Sequence, residues 1–242
     1  MSTARERARA ELTTDILRTA RAQLGQVGPA SLSLRAVARD LGMVSSAVYR
    51  YVASRDELLT ALIVQCYDEL GATVEEADAA LPRLEVRRRW RTACGRIRSW
   101  AAEHPHEYAL LYGSPVPGYQ APQATIGPAT RPAGVLIRIV VDAQLGEPAT
   151  RIATGRTMTA EHHDNLAGAR AFIAEDHRQL TGTAPPCELA DDMVMRILSS
   201  WTTVFGAVSF ELFGHLVGSV VDTDLFFGEL VERLADDLDL PG

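Results

Sequence analysis

SLSLRAVARDLGMVSSAVYRYVASRDELL, residues 31–59, contains two short helical patterns separated by a glycine. Ser33 stands where an N-cap belongs, and Leu34, Val37, Ala38 and Leu41 follow at i, i+3, i+4 and i+7, one face of a two-turn helix. Gly42 ends that pattern, and a second short helix is expected from Ser45 to Tyr51, anchored by Val48 and Val52. Ser54 then caps a long helix with Asp56 and Glu57 in its first turn, where the helix dipole favours acids. Its apolar positions Leu58, Leu62, Cys66 and Leu70 carry it toward residue 80. Upstream, Leu12, Ile16, Ala20 and Leu24 mark a helix over 11–26, stopped by Gly25, Gly28 and Pro29.

Three helices in this order, the last two short and joined at a glycine, have the dimensions of a helix-turn-helix unit. Such a unit places its last helix in the major groove, where base edges are distinguishable. Here the outward side of that helix offers Ser45, Ser46, Ala47 and Arg50, all short but one, which suits close approach to bases. Tyr49 and Tyr51 bring hydroxyls that reach phosphate oxygens. Arg50 suits either a base or a phosphate, and Arg5, Arg7 and Arg9 read as a basic tail or a minor-groove arm.

The pattern from residue 31 to 59 resembles the DNA-binding domain of the TetR family of transcriptional regulators, over roughly residues 11–60. The Ser33 cap, Gly42, the Val48-Tyr49 pair and the Ser54-Arg55 start of the long helix fall in the family's order. The resemblance implies that Ser33, Arg35, Tyr49, Tyr51 and Arg55 hold phosphates and that Ser45, Ala47 and Arg50 face bases. The chain departs from the family at Val44-Ser45, where a Ser or Thr followed by Lys is common, and at Tyr51-Val52, where His-Phe is common. HPHEYALLYGSPVPGY (104–119) and WTTVFGAVSFELFGHL (201–216) are similar to one subset of that family.

The rest of the chain is helical in pattern, giving an all-α protein: an N-terminal three-helix DNA-binding domain, 1–60, and a larger helical effector-binding and dimerisation domain, 61–242. Helices are expected over 84–103, with an Arg-rich side at Arg87, Arg88, Arg89 and Arg91, and over 105–112. Five prolines make 113–132 a loop. Val135–Leu145 reads as a buried helix, although Ile139, Val140 and Val141 also suit a strand. Residues 146–163 are poorly patterned, and helices follow over 164–180, 189–217 and from Asp222 to Leu238. The Arg-rich side is expected to be a solvated face or a contact with the three-helix region.

Residues 1–60 carry nine arginines against six acids, net +3, whereas 61–242 carry fifteen against twenty-five, net −10. The overall charge is −7, and all 24 basic residues are arginine. That asymmetry fits different partners for the two parts: double-stranded DNA for the first, not for the second. With 47% hydrophobic and 23% charged residues the chain is globular. No uninterrupted apolar run approaches the roughly 20 residues of a membrane span, and the opening MSTARERARAE is no secretory signal, so the expected compartment is the cytoplasm with no membrane partner. Cys66, Cys94 and Cys187 form no CxxC pair. No histidine spacing suits a metal, and no Gly-rich phosphate loop or GxSxG turn is present, so neither cofactor nor catalysis is expected.

In the TetR family the last two long helices of each subunit build a four-helix dimer interface. Here Ile197, Val204, Val208 and Leu212, with Phe227, Val231 and Leu234 on the final helix, are expected to form it. Large aromatics near small residues, namely Trp100, Tyr108, Tyr112, Phe172, Trp201 and Phe205, are expected to line the site of an apolar or aromatic effector. The resulting reading is a homodimeric, ligand-responsive regulator, a repressor, on a palindromic operator. A regulator without a small-molecule effector, and an enzyme or carrier on a helical scaffold, stand as the alternatives.

Overall fold

A computed structural model describes residues 3–145, 158–183 and 189–242, and among them there is no strand. The helices are α1 (Ala4–Val27), α2 (Leu34–Asp40), α3 (Ser45–Val48), α4 (Arg55–Ala79), α5 (Val86–Glu103), α6 (Pro105–Tyr112), α7 (Ile126–Leu145), α8 (Ala160–Asn165), α9 (Ala167–Thr181), α10 (Asp191–Leu212) and α11 (Thr223–Asp237). Most of the poorly patterned stretch 146–163, residues 146–157, and Cys187 lie outside the described residues.

Several helix bounds change: α8 precedes the helix expected over 164–180, and the one expected over 189–217 ends at Leu212. The basic N-terminus is helical from Ala4: Thr3 Oγ1 accepts from the Glu6 N–H at 3.2 Å while the Glu6 carboxylate accepts from the Thr3 N–H at 2.7 Å, a reciprocal cap. The proline-rich loop also ends early, at Ile126. Pro128 falls in the first turn of α7, where a missing N–H costs nothing, and Pro132 removes only one internal bond. Ile139, Val140 and Val141 are buried in that helix.

The chain divides into two compact units. The first holds the residues up to Glu69 together with Glu103–Ala129. Its core joins Ile16, Ala20 and Leu24 of α1 to Val37 of α2, Val48 of α3, and Leu58 and Leu62 of α4, all at most 1% exposed, with Leu110 of α6 added. α4 is continuous from this unit into the second, which comprises Leu70–Ala102 and the chain from Thr130 on.

In the second unit Arg88, Arg91 and Arg96 of α5 are exposed, as a solvated face requires, while Arg87, Arg91 and Arg98 also meet acids of the same unit. Arg87 bonds Glu232 at 3.0 Å and Asp236 at 2.6 Å, Arg91 bonds Glu232, and Arg98 holds Glu211 and Asp224. Between them Trp90, 1% exposed, donates its indole N–H to the Val231 carbonyl at 3.0 Å. Among the described residues α10 alone is long and apolar enough to cross a membrane, and 33% of that window is buried.

Candidate nucleic-acid interface and second-unit cavity

The turn between α2 and α3 is set by Gly42, whose φ of +66° suits a residue without a side chain. The Gly42 N–H bonds the Arg39 carbonyl at 3.0 Å and the Met43 N–H reaches back to Ala38 at 2.8 Å, closing α2 with a Schellman motif. Ser33 occupies the N-cap position of α2, but its side chain makes no cap hydrogen bond. α3 is regular only over Ser45–Val48, and Tyr49–Tyr51 continue as turns held by Arg50 N–H to Ala47 and Tyr51 N–H to Val48. Val44 opens it without a side-chain acceptor and is 70% exposed.

Burial sorts the expected contact residues by role. Val48 and Val52 face inward. Arg35, Ser46, Tyr49 and Arg50 are exposed, while Ser33, Ser45, Ala47 and Tyr51 are half-buried. Tyr51 packs on the first unit's core and lies under the Arg9 guanidinium, 5.5 Å from the ring centre. Arg9 also donates to the Arg50 carbonyl at 3.3 Å. Nothing in the local pattern around Arg9 signals this fastening, because its partners lie about forty residues away.

Arg55 turns inward more than expected. Its Nε donates to the Leu32 carbonyl at 3.1 Å and Nη2 to the Pro29 and Ala30 carbonyls at 2.9 Å each. It therefore pins the turn before α2 to the start of α4, with Nη1 outside these bonds. Arg55→Ala is expected to lower the stability of the free protein by about 1–3 kcal/mol, through carbonyls left without their donor. A role confined to phosphate contact would leave the melting temperature of free protein unchanged, which a thermal melt without DNA decides.

A second fastening joins α1, α4 and α6 inside this unit. Arg21 donates from Nε to Glu107 at 2.6 Å and from Nη1 to Glu69 at 2.7 Å. Burial works against its charge, yet the two carboxylates outweigh it and raise the Arg21 pKa. Burial likewise pushes the neighbouring Cys66 thiol up to about 12, so it is inert at neutral pH.

The expected effector aromatics divide between the two units. Tyr108 and Tyr112 lie in the first, ring centres 4.9 Å apart, with Tyr67 edge-on to Tyr112 at 5.8 Å. Trp100, Phe172, Trp201 and Phe205 lie in the second, where Trp100 and Phe205 are buried and Trp201 and Phe205 meet edge to face at 6.4 Å. A cavity of about 380 Å³ in the second unit is lined by none of the six. Its walls come from α4, α5, α7 and α9 and combine Ile137, Val141 and Ile173 with charged groups. Among the described residues no group of three His, Cys, Asp or Glu side chains could hold a metal.

The expected dimer residues mostly face the protomer's own core. Ile197, Val204, Val208, Phe227 and Val231 are all at most 5% exposed within the single chain, and Leu212 and Leu234 are half-buried. A side chain already buried has little area left to cover against a partner. The exposed residues of α10 are instead Met195, Ser199, Trp201, Thr202 and Phe210, with the half-buried Gly206 among them and Phe213 just past the helix end.

The description "Bacterial regulatory proteins, tetR family" matches residues 16–62, and "Tetracyclin repressor-like, C-terminal domain" matches residues 90–234. The chain is 41% identical over 216 residues to the HTH-type transcriptional regulators Rv1816 of Mycobacterium tuberculosis and Mb1846 of Mycobacterium bovis, covering 87% of this chain and 85% of each relative. The crystal structure of SCO4313 superposes with a TM-score of 0.72 at 29% identity, covering 97% of this chain and all of that one. A protein from Rhodococcus sp. RHA1 shares the fold at a TM-score of 0.62 and 22% identity, over 94% of this chain and 93% of that one. The helix-turn-helix geometry, the helices that make up the described part of the second unit, and the matches to the family and its curated regulators together make the chain a member of the TetR family, a DNA-binding transcriptional regulator and not an enzyme.

Proposed function

We propose that the protein is a homodimeric repressor that binds a palindromic operator through residues 1–60 and is released when residues 61–242 bind a small-molecule effector, acting in the cytoplasm where the DNA lies. The observation that carries the DNA reading is the sorting of α3: Ser46, Tyr49 and Arg50 are exposed while Val48 is buried. Arg50 is the long cationic side chain in this set, so it is assigned to base reading. Ser33, Arg35, Tyr49, Tyr51 and Arg55 hold the phosphate backbone, and Ser45, Ser46 and Ala47 set the close approach.

Dimerisation rests on the outward face of α10. Met195, Phe210 and Phe213, with Phe226 of α11, leave apolar area that a second copy covers about a twofold axis, α10 and α11 of each subunit forming a four-helix contact. Two three-helix regions related by that axis read half-sites on one face of the duplex, roughly 34–36 Å apart or somewhat beyond. The charged lining of the 380 Å³ cavity favours a second reading, a regulator that takes no small molecule.

Arg50→Ala tests the base-reading role. It is expected to weaken operator binding by about 1–3 kcal/mol and to relax the preferred base at one position of each half-site. Selection of bound fragments from a random DNA pool, repeated with the variant, measures both. An unchanged preferred sequence assigns Arg50 to phosphate instead.

A further inference from the structure

The charges around the second-unit cavity fall into a closed set and an open pair. In the closed set, Arg89 donates from Nε and Nη2 to Asp78 at 2.7 and 2.9 Å, and from Nη1 to Asp142 at 2.8 Å. Arg83 donates twice to the same Asp142, at 3.1 and 2.5 Å. These four groups satisfy one another.

The open pair is Arg138 of α7 and Asp176 of α9. Arg138 spends its Nε on the Gly134 carbonyl of its own helix at 3.0 Å, and stands 3.8 Å from Asp176 Oδ2 and 4.0 Å from Glu75, both beyond hydrogen-bond reach. Glu75 is already held by Arg131 through two bonds, at 3.1 and 2.7 Å. The terminal nitrogens of Arg138 and both oxygens of Asp176 thus have no hydrogen bond to a described residue, although their side chains are only 24% and 21% exposed. Burial pushes the Asp176 carboxyl above its ordinary value, in keeping with a carboxylate short of donors.

Three arginines and three aspartates line this space, so its formal charge is zero with His177 neutral. A ligand of net charge would bring an uncompensated ion into a half-buried site, whereas a neutral one would not. The volume of about 380 Å³ suits a small molecule. We infer that the cavity takes a net-neutral ligand whose head group presents an acceptor to Arg138 beside a donor to Asp176, as a carboxamide or a zwitterionic amino acid does, with an aliphatic body against Ile137, Val141 and Ile173. This inference rests on the effector reading of residues 61–242 and replaces the wholly apolar effector with a polar-headed one.

Four probes with similar branched alkyl bodies test it: isocaproamide, L-leucine, isocaproate and isoamylamine, each titrated into the full-length protein by calorimetry and thermal shift. The neutral amide and the zwitterion are expected to bind and raise the melting temperature, and the singly charged acid and amine are not. Asp176→Asn and Arg138→Gln are each expected to weaken binding about tenfold or more. The Asp176→Asn protein without probe should melt no lower than the parent, because it loses a carboxylate that burial disfavours. Equal binding of all four probes, binding indifferent to both substitutions, or no binding of any probe at millimolar concentration overturns the inference. Operator titrations separate the two readings. A probe that binds here and leaves operator affinity unchanged upholds the site and overturns the effector role. One that releases DNA while ignoring both substitutions does the reverse.

Discussion

Phe210→Asp is expected to convert the proposed dimer into folded monomers, whereas Val208→Asp, two residues away on the same helix, is expected to unfold the protomer. Phe210 is 54% exposed in the single chain and Val208 is 2% exposed. In the proposed twofold contact the Phe210 substitution occurs twice, placing two like charges where apolar surface was to be buried. Its cost falls mainly on association, since within the protomer Phe210 loses only its half-covered packing, including the contact with the His215 ring. Operator affinity should then drop by about a hundredfold or more, because the two half-sites are no longer engaged together. At Val208 the new carboxylate sits in the protomer's own core without a partner, a cost of several kcal/mol against a usual total stability of about 5–15 kcal/mol. Sedimentation and helical circular dichroism on both variants decide it. A folded Phe210→Asp dimer would remove α10's outward face from the interface.

Arg89→Ala carries the second large effect, a loss of about 3–5 kcal/mol. The Arg89 side chain is 6% exposed, and burial would by itself disfavour its charge. Bonds to Asp78 and Asp142 override that and raise its pKa. Removing it strands the Asp78 carboxylate, 17% exposed, leaves Asp142, 12% exposed, held only by the exposed Arg83, and unlinks α4, α5 and α7, to which Asp78, Arg89 and Asp142 belong. For a chain of this size the melting temperature should fall by roughly 6–20 °C. Arg89→Lys keeps the charge but not the two-pronged geometry, so it should recover only part of the loss. Asn at both aspartate positions in the Arg89→Ala background should restore stability further, since no ion is then left buried. If Arg89→Ala melts within a few degrees of the parent, the arginine is not the keystone of this cluster.

Local chemistry made much of the fold legible. Caps and breakers act over a few residues, so Ser54, Gly42 and Pro105 marked the ends of α4, α2 and α6 from sequence alone, and Asp222 marked the start of α11. The helix-turn-helix was readable for the same reason, its turn being closed by bonds between residues at most five apart. The boundaries that moved had an interaction hidden from the pattern. Thr3 and Glu6 cap each other, which turns an apparent tail into helix, and Pro128 is harmless because it lies in a first turn.

What the sequence by itself determined is therefore the helical class, the order of most of the elements and the position of the helix-turn-helix. Only tertiary structure decided which side of α10 looks outward. That helix is apolar around most of its circumference, and a period of 3.6 residues identifies stripes without saying which one the protomer keeps. Tertiary structure likewise turned Arg55 toward the Pro29, Ala30 and Leu32 carbonyls, Arg87 and Arg91 toward acids of α11, and Arg89 toward Asp78 and Asp142. It also brought residues 89, 138 and 176 around one cavity, from three helices separated by tens of residues. Charge pairing and cavity walls depend on which distant segments meet, and that is set by packing of the whole unit rather than by any local run of residues.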